Sequence, residues 1–505
     1  MKRLSLLVLG LLLFVGGCST DGLEPRPTAA MDRPVVELTY EEALKERLDE
    51  VLHGLEGHGA IVSARVLDAE TGEELYSTGN VDLALKPASN MKLISSAIAL
   101  ETFGADHVFR TYLAKDGDDL YVVGTGDPAV GDPVIAEREG EAVTAVFDRW
   151  VAALKEAGVE RIEGDLVVDG SAFEPHITHS SWWPEDLLYA YGAPVSGLNF
   201  NDNCVDITAS ATSAGLPVKV TLVPAVRGVE VVNRMTTDDG EEPRERPVVY
   251  KVSGSDTYVL SGELKEASMT AGLPVSDPAR FFGDALLTHL EGAGLEVAGS
   301  VRVGVWEDAA NIASDERVVA VHETAMQDVL DRTNKPSMNL YADALAKSAG
   351  LARQRAQGRP YPGSWLSGRR AVEAWFEEIG VESLGLVMAD GSGLSHNNRV
   401  TARMISDLLL HMHRHEDAEA YKASLTVGGV DGTLRRRLTD IPGAVRAKTG
   451  TITGASALSG YVVTAEGREL VFSILFNRNQ TSRAARALQD DAVRVLYYGV
   501  DWRPE

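Results

Sequence analysis

Strand and helix patterns at the two ends of this chain constrain its fold more than any other feature. Ala60 to Leu67 and Glu74 to Ser77 flank Asp68-Ala69-Glu70-Thr71-Gly72, which reads as a hairpin with a glycine turn. Near the other end, Ala457 to Thr464 and Glu469 to Phe476 surround Ala465-Glu466-Gly467-Arg468 and form a second hairpin signal. Ala43, Leu44, Leu48, Val51 and Leu52 lie at helical spacing before the first hairpin, and Ser482 to Tyr498 has an amphipathic pattern after the second. The two ends are therefore expected to build one antiparallel sheet with helices packed on it.

The middle has a different texture. Leu120 to Val123, Leu166 to Val168 and Val218 to Val223 are short Val-rich segments separated by Gly, Asp and Pro turns, with one helix near Thr144 to Ala157. Helical spacing returns at Ala279 to Leu290, after Asp277-Pro278. A chain of 505 residues exceeds the size at which one core stops growing. The expected organisation is an α/β domain in two segments, 38–106 and 273–505, interrupted by a large, mostly β insertion at 107–272.

The N-terminus indicates the compartment. Met1-Lys2-Arg3 precedes an apolar run from Leu4 to Val15, too short to span a bilayer but suited to a secretory signal. Val15-Gly16-Gly17-Cys18 then resembles a lipobox, which makes residues 1–17 a signal peptide, Cys18 a lipidation site and 18–37 a Pro-containing linker. The expectation is a protein exported across the inner membrane and lipid-anchored in the envelope, facing the periplasm in a double-membraned bacterium. Cys204 is the other cysteine, so after lipidation no internal disulfide can form, and Cys204 reads as a buried small hydrophobe. The net charge of −26 argues against nucleic acid as a partner. No sequence feature fixes the oligomeric state.

Three short motifs carry chemistry. Ser89-Asn90-Met91-Lys92 opens an apolar helical run, placing the serine at a helix N-terminus and Lys92 one turn away on the same face. A serine hydroxyl needs a nearby base, and a lysine can be that base when burial or a second cation lowers its pKa. Ser337-Met338-Asn339 opens another helix, and Lys448-Thr449-Gly450-Thr451 stands at the start of the C-terminal hairpin. Lys448 supplies the second cation, and Gly450 lets a substrate backbone approach closely. Each motif alone is common; the three in this order, each on its expected element, are not.

With these motifs the chain resembles the class C low-molecular-mass penicillin-binding proteins, the D-alanyl-D-alanine carboxypeptidase/endopeptidase family, over roughly residues 40 to 500. Gly124-Thr125-Gly126-Asp127-Pro128, Gly164 to Asp169, Asp390 to Ser395 and Gly429 to Leu434 add to the resemblance, as does the wide gap between Ser89 and Ser337. The resemblance implies a β-lactamase/transpeptidase-like domain acting on peptidoglycan stem peptides, with β-lactams as covalent inhibitors and no metal or organic cofactor. It implies that Ser89 attacks the D-alanyl carbonyl and Lys92 takes its proton. Ser337 relays that proton, Asn339 holds the substrate amide and Lys448 provides charge. Thr449 and Thr451 bind the terminal carboxylate beside Gly450, and the N–H groups of Ser89 and Thr451 form the oxyanion hole. Trp183, Asp186 and Tyr191 resemble the family pocket for the amino end of a diaminopimelyl side chain, against a plainer reading in which the tryptophans only pack. Where the family usually has arginine after Leu394-Ser395, this chain has His396, which weakens a bidentate grip on a carboxylate.

Two other functions compete. A β-lactamase or esterase on the same scaffold needs an activated water, and Glu382 is the nearest local carboxylate. A non-catalytic peptidoglycan-binding or antibiotic-sensing lipoprotein needs no nucleophile–base pair. His411, His413 and His415 read as surface residues rather than a metal site.

Overall fold

Side chains on successive residues of a strand face opposite ways, and the strand Glu469–Asn477 uses both faces. Leu470, Phe472, Ile474 and Phe476 enter one apolar core, and Val471 and Leu475 enter another. The computed structural model, which describes residues 39–238, 240 and 245–503, places this strand inside a six-stranded sheet. The order is Thr426–Val427, Val445–Ile452, Ala455–Val463, Glu469–Asn477, Ile61–Asp68, Glu74–Ser77, and every neighbouring pair is antiparallel. Ile61 pairs with Asn477 and Asp68 with Leu470, so the two ends of the chain do close one sheet.

Helices Tyr40–Leu52 and Ser482–Tyr498 cover one face through Leu44, Leu48, Val493 and Leu496. Helices Met91–Phe103, Met326–Asn334, Asn339–Ala356, Trp365–Ile379 and Ala402–His413 build the core on the other face. The fold class is thus α/β, with an antiparallel sheet between helical layers. The Lys448 motif differs from expectation: it lies inside the strand Val445–Ile452, not at the mouth of a hairpin.

The inserted region carries its own five-stranded sheet, in the order Val301–Val303, Leu166–Asp169, Asp119–Gly124, Val108–Asp116, Val318–Ala325. This moves the boundary expected at residue 273. Helix Pro278–Gly292 buries Phe281, Phe282, Leu286 and Leu290 in the insertion's core, and residues 301–303 and 318–325 are the two outer strands of its sheet. The chain re-enters the helical layer at Met326. Apolar spacing identifies a helix but does not say which core the helix serves. The insertion also contains helices Pro133–Glu139 and Ala145–Glu156.

Insertion and catalytic layer meet in a buried polar cluster. Arg332 donates to Asp132 (2.5 Å) and Asp202 (2.9 Å), and the Tyr341 hydroxyl donates to Asp202 (2.8 Å). Arg332 and Tyr341 bracket Ser337 and Asn339, so two aspartates of the insertion hold the segment that carries the second motif. Among the described residues no helix is long and apolar enough to cross a membrane. The signal peptide, Cys18 and the linker expected from the sequence lie outside the described residues.

Candidate active site

Pro87 leads into a 3₁₀ turn, Ala88–Asn90, that continues as the helix Met91–Phe103. Ala88 has φ 47°, a left-handed conformation rarely adopted by residues with a side chain. Such strain persists only where surroundings over-determine it. Here Asn90 Nδ2 donates to the Lys448 carbonyl (2.8 Å), and Ser459 Oγ donates to Asn90 Oδ1 (2.7 Å), pinning the turn to the sheet. Ser89 is left half-buried at the start of the helix.

Lys92 is wholly buried one turn further on. Its Nζ lies 3.1 Å from Ser89 Oγ, 2.6 Å from Asn339 Oδ1 and 2.7 Å from the Ser392 carbonyl. A neutral amine has two N–H groups and one lone pair. The two carbonyl-type oxygens can take both N–H groups, which leaves the lone pair for the Ser89 hydroxyl. Burial pushes the Lys92 pKa down to about 8, against the pull of Asp343 and Asp390.

Ser337 also sits at positive φ, 67°, just before the helix Asn339–Ala356. Lys448 Nζ donates to Ser337 Oγ (2.9 Å) and to the Thr449 carbonyl (3.1 Å). Burial, with Lys92 nearby, holds the Lys448 amine well below the usual lysine range. Asn339 Nδ2 donates to the Tyr191 carbonyl (2.7 Å), tying the helix to the insertion. Among the described residues the strand has no strand partner on its outer side beyond Ala447, because Thr426 and Val427 pair with Ala447 and Arg446. Lys448 to Ile452 therefore offers an open edge, suited to an added peptide strand. Gly450 brings that edge close: a Cβ there would stand 2.7 Å from the Pro87 carbonyl and 3.0 Å from Ser89 N. Thr449 Oγ1 is 2.7 Å from Thr433 Oγ1.

Ser89, Ser337, Asn339 and Thr451 line a cleft of about 320 Å³ together with Trp183, Asp186, Tyr191 and His396. The sequence-selected residues thus come together at one place. The two tryptophans divide the readings between them. Trp182 is buried and donates Nε1 to Asp390 (2.8 Å), whereas Trp183 is exposed and stacks on His396 with ring centres 4.1 Å apart. The Tyr191 hydroxyl donates to Asp186 (3.1 Å), and burial beside Asp186 pushes its pKa up to about 12. A larger apolar hollow of about 740 Å³, lined by Phe173, Ala279 and Tyr361, contains none of the three motifs, so chemistry rather than volume selects the site.

Glu382 is exposed and does not line the cleft, where Asp186 is the one carboxylate among the described residues. Cys204 is buried and its thiol pKa is raised well above the ordinary value by burial, against a role as nucleophile. The three histidines have separate partners: His413 faces Lys422 Nζ (2.8 Å) and His415 faces Glu101 (3.4 Å), while His411 packs edge-on to Trp375.

Several residues of the site were given no role from the sequence, although Asp390 and Ser392 fall in the stretch Asp390 to Ser395 that adds to the resemblance. Ser392 offers the carbonyl that receives Lys92, and Asp343 and Asp390 hold the turn that carries it. Lys86 Nζ stands 3.4 Å from His396 Nδ1. Asp343 also had a signal, four residues after Asn339 and hence on the same helical face; the role of Lys86 depends on tertiary contacts.

In this arrangement the group hydrogen-bonded to the serine hydroxyl is an amine, Lys92 Nζ. That is the chemistry of lysine-assisted serine peptidases, and the fold agrees. The chain belongs to the D-Ala-D-Ala carboxypeptidase 3 (S13) family, which it matches over residues 44–497, and it is a serine-type D-Ala-D-Ala carboxypeptidase. It is 36% identical over 491 residues to the D-alanyl-D-alanine carboxypeptidase of Actinomadura sp. (strain R39), covering 92% of this chain and 86% of that one. It is 26% identical to the D-alanyl-D-alanine carboxypeptidase DacB of Haemophilus influenzae, over 81% of this chain and 85% of that one. The solved structure of penicillin binding protein 4 (dacB) from Haemophilus influenzae superposes with a TM-score of 0.72 at 23% identity, covering 90% of this chain and 99% of that one.

Proposed function

We propose that Ser89 attacks the carbonyl of the penultimate D-alanine of a peptidoglycan stem peptide and that Lys92 receives its proton. The observation that carries this reading is the buried Lys92 amine 3.1 Å from Ser89 Oγ, with an acceptor for each of its N–H groups. Ser337, beside Lys448, then relays that proton to the leaving amine as the peptide C–N bond breaks, and water hydrolyses the acyl ester, returning a proton to Ser89 Oγ. Asn339 holds the substrate amide, and Thr449 and Thr451 bind the terminal carboxylate along the open strand edge. The N–H groups of Ser89 and Thr451 receive the oxyanion, where one such donor contributes about 2.7–4 kcal/mol to the barrier. The same acylation serves a terminal D-alanine or a D-alanyl cross-link, since only the leaving group differs.

A β-lactam presents an equivalent carbonyl, and the Haemophilus protein has been solved with a β-lactam bound. The test is the mass of the soluble domain after mixing with benzylpenicillin. A lasting adduct on the peptide containing Ser89 supports the peptidase reading. Rapid hydrolysis of the antibiotic without an adduct would move the assignment to β-lactamase.

The pocket of Trp183, Asp186 and Tyr191 takes the amino end of a diaminopimelyl side chain, its ammonium on Asp186 and its stem on the rings. Asp186→Ala is expected to slow cleavage of diaminopimelyl peptides by about tenfold more than cleavage of their N-acetylated analogues. Equal losses on both substrates remove the pocket from the assignment.

Lipidation at Cys18 would hold the enzyme on the envelope, within reach of peptidoglycan. Cells expressing Cys18→Ala are expected to incorporate no radiolabelled palmitate into the protein, and persistent labelling rejects this anchor.

A further inference from the structure

Asp343 lies one turn after Asn339 and is fully buried. Its Oδ1 accepts from Gly391 N (2.6 Å) and from Trp365 Nε1 (2.9 Å), and the Ser392 hydroxyl also faces the carboxylate. Across the same turn Asp390 is fully engaged. It accepts from Gly393 N (2.7 Å), Ser395 N (2.6 Å), Asn398 Nδ2 (2.7 Å) and Trp182 Nε1 (2.8 Å). The two carboxylates fix residues 391–395 from opposite ends. Ser392, next after the residue Asp343 holds, gives its carbonyl to Lys92 Nζ (2.7 Å). Ser95 Oγ donates to the Gly391 carbonyl (2.6 Å) and locks the turn to the serine helix.

We propose that Asp343 is a positioning residue for acylation, fixing the carbonyl that holds Lys92 and setting by its own charge how readily Lys92 gives up its proton. This rests on the reading of Ser89 as nucleophile and Lys92 as base. Both effects come from one side chain, through a hydrogen bond to Gly391 N and through space.

The charged groups around Asp343 are known. Asp390 faces it from the turn and Lys92 from the serine helix, with Lys448 beyond. Lys347 lies one turn along its own helix, 3.3 Å from Glu174 and over the Trp365 ring, and His179 stands edge-on to that ring. The helix Trp365–Ile379 contributes only the indole N–H to Asp343. Burial, with Asp390 adding to it, raises the Asp343 carboxyl, while burial lowers the Lys92 amine against the pull of Asp343 and Asp390. When ionised, Asp343 favours the protonated form of Lys92. Removing that negative charge lets Lys92 become neutral at lower pH.

The test is the second-order rate of Ser89 labelling by a fluorescent penicillin, measured across pH for the wild type and for Asp343→Asn. Asparagine keeps an oxygen for Gly391 N and Trp365 Nε1 while removing the charge. The acidic limb of the rate profile is expected to move down by about one pH unit, with the high-pH plateau within about threefold of wild type. A uniform fall in rate with the limb unmoved would show a structural role only and overturn the proposal, as would an unchanged profile.

If Asp343→Asn does not fold, the wild type decides. With ¹³C-labelled lysine, the Lys92 side-chain resonance should register a neighbouring titration besides its own, assigned by its absence in Lys92→Met. A single inflection overturns the proposal. Failure of the Ser89 reading is distinct, because the label would then map to another peptide.

Discussion

Ser89→Ala is expected to abolish covalent capture of benzylpenicillin and to lower D-alanine release by about 10⁴-fold or more, since removing a nucleophile forfeits the acyl-enzyme route entirely. The fold should survive. Ser89 Oγ is half-exposed, and Lys92 Nζ is its hydrogen-bond partner, so the lost contact is worth about 1 kcal/mol. Lys92 keeps Asn339 Oδ1 and the Ser392 carbonyl, and the strained Ala88 turn keeps its ties through Asn90. Intact-protein mass after incubation with the antibiotic, set beside a melting curve, measures both halves. A penicillin adduct on the variant would sink the assignment of the nucleophile.

Lys92→Met is the second large effect. General-base assistance contributes about 10²–10⁴-fold, so the labelling rate should fall by roughly 10³-fold while Ser89 remains in place. Methionine fills the space of the lysine stem but leaves two buried oxygens without a donor, and each orphan costs about 1–3 kcal/mol. A lower melting temperature is therefore expected alongside the lost rate.

The pH profile separates the two effects. In the wild type the base is the neutral amine and its pKa is depressed to about 8. Acylation should thus be complete above that value and lose about tenfold per unit below it. In Lys92→Met this limb should disappear. A limb that persists unchanged would assign the base to another group, with Lys448 the nearest buried amine.

The motifs were legible because their chemistry is local. Ser89 and Lys92 are separated by one helical turn, which fixes their proximity once the helix forms. The hairpins were legible because apolar runs of strand length joined by glycine turns have few other solutions, and Glu469–Asn477 buries both faces of such a run. The boundary at 273 failed for the opposite reason. Phe281, Phe282 and Leu286 have the same amphipathic spacing as a catalytic-domain helix, and only the partner sheet decides where they belong. The Lys448 motif was placed at the start of the C-terminal hairpin, and eight consecutive ladder pairs with residues 455–462 hold it inside a strand.

By itself, then, the sequence determined the chemistry and the class of the molecule: which side chains could act, on which element each sits, and that the two ends share a sheet. Only the tertiary structure decided protonation and alignment. Lys92 is suited to act as a base because it is wholly buried and Asn339 and Ser392, distant in the chain, accept its N–H groups. Positive φ at Ala88 and Ser337 is imposed by packing that neither residue type favours. Trp183 faces the cleft while its neighbour Trp182 is buried, a division that no local pattern contains. The physical reason is range. Periodicity and turn chemistry act over a few residues, whereas desolvation and the field at a buried amine are sums over every group that folding brings near it.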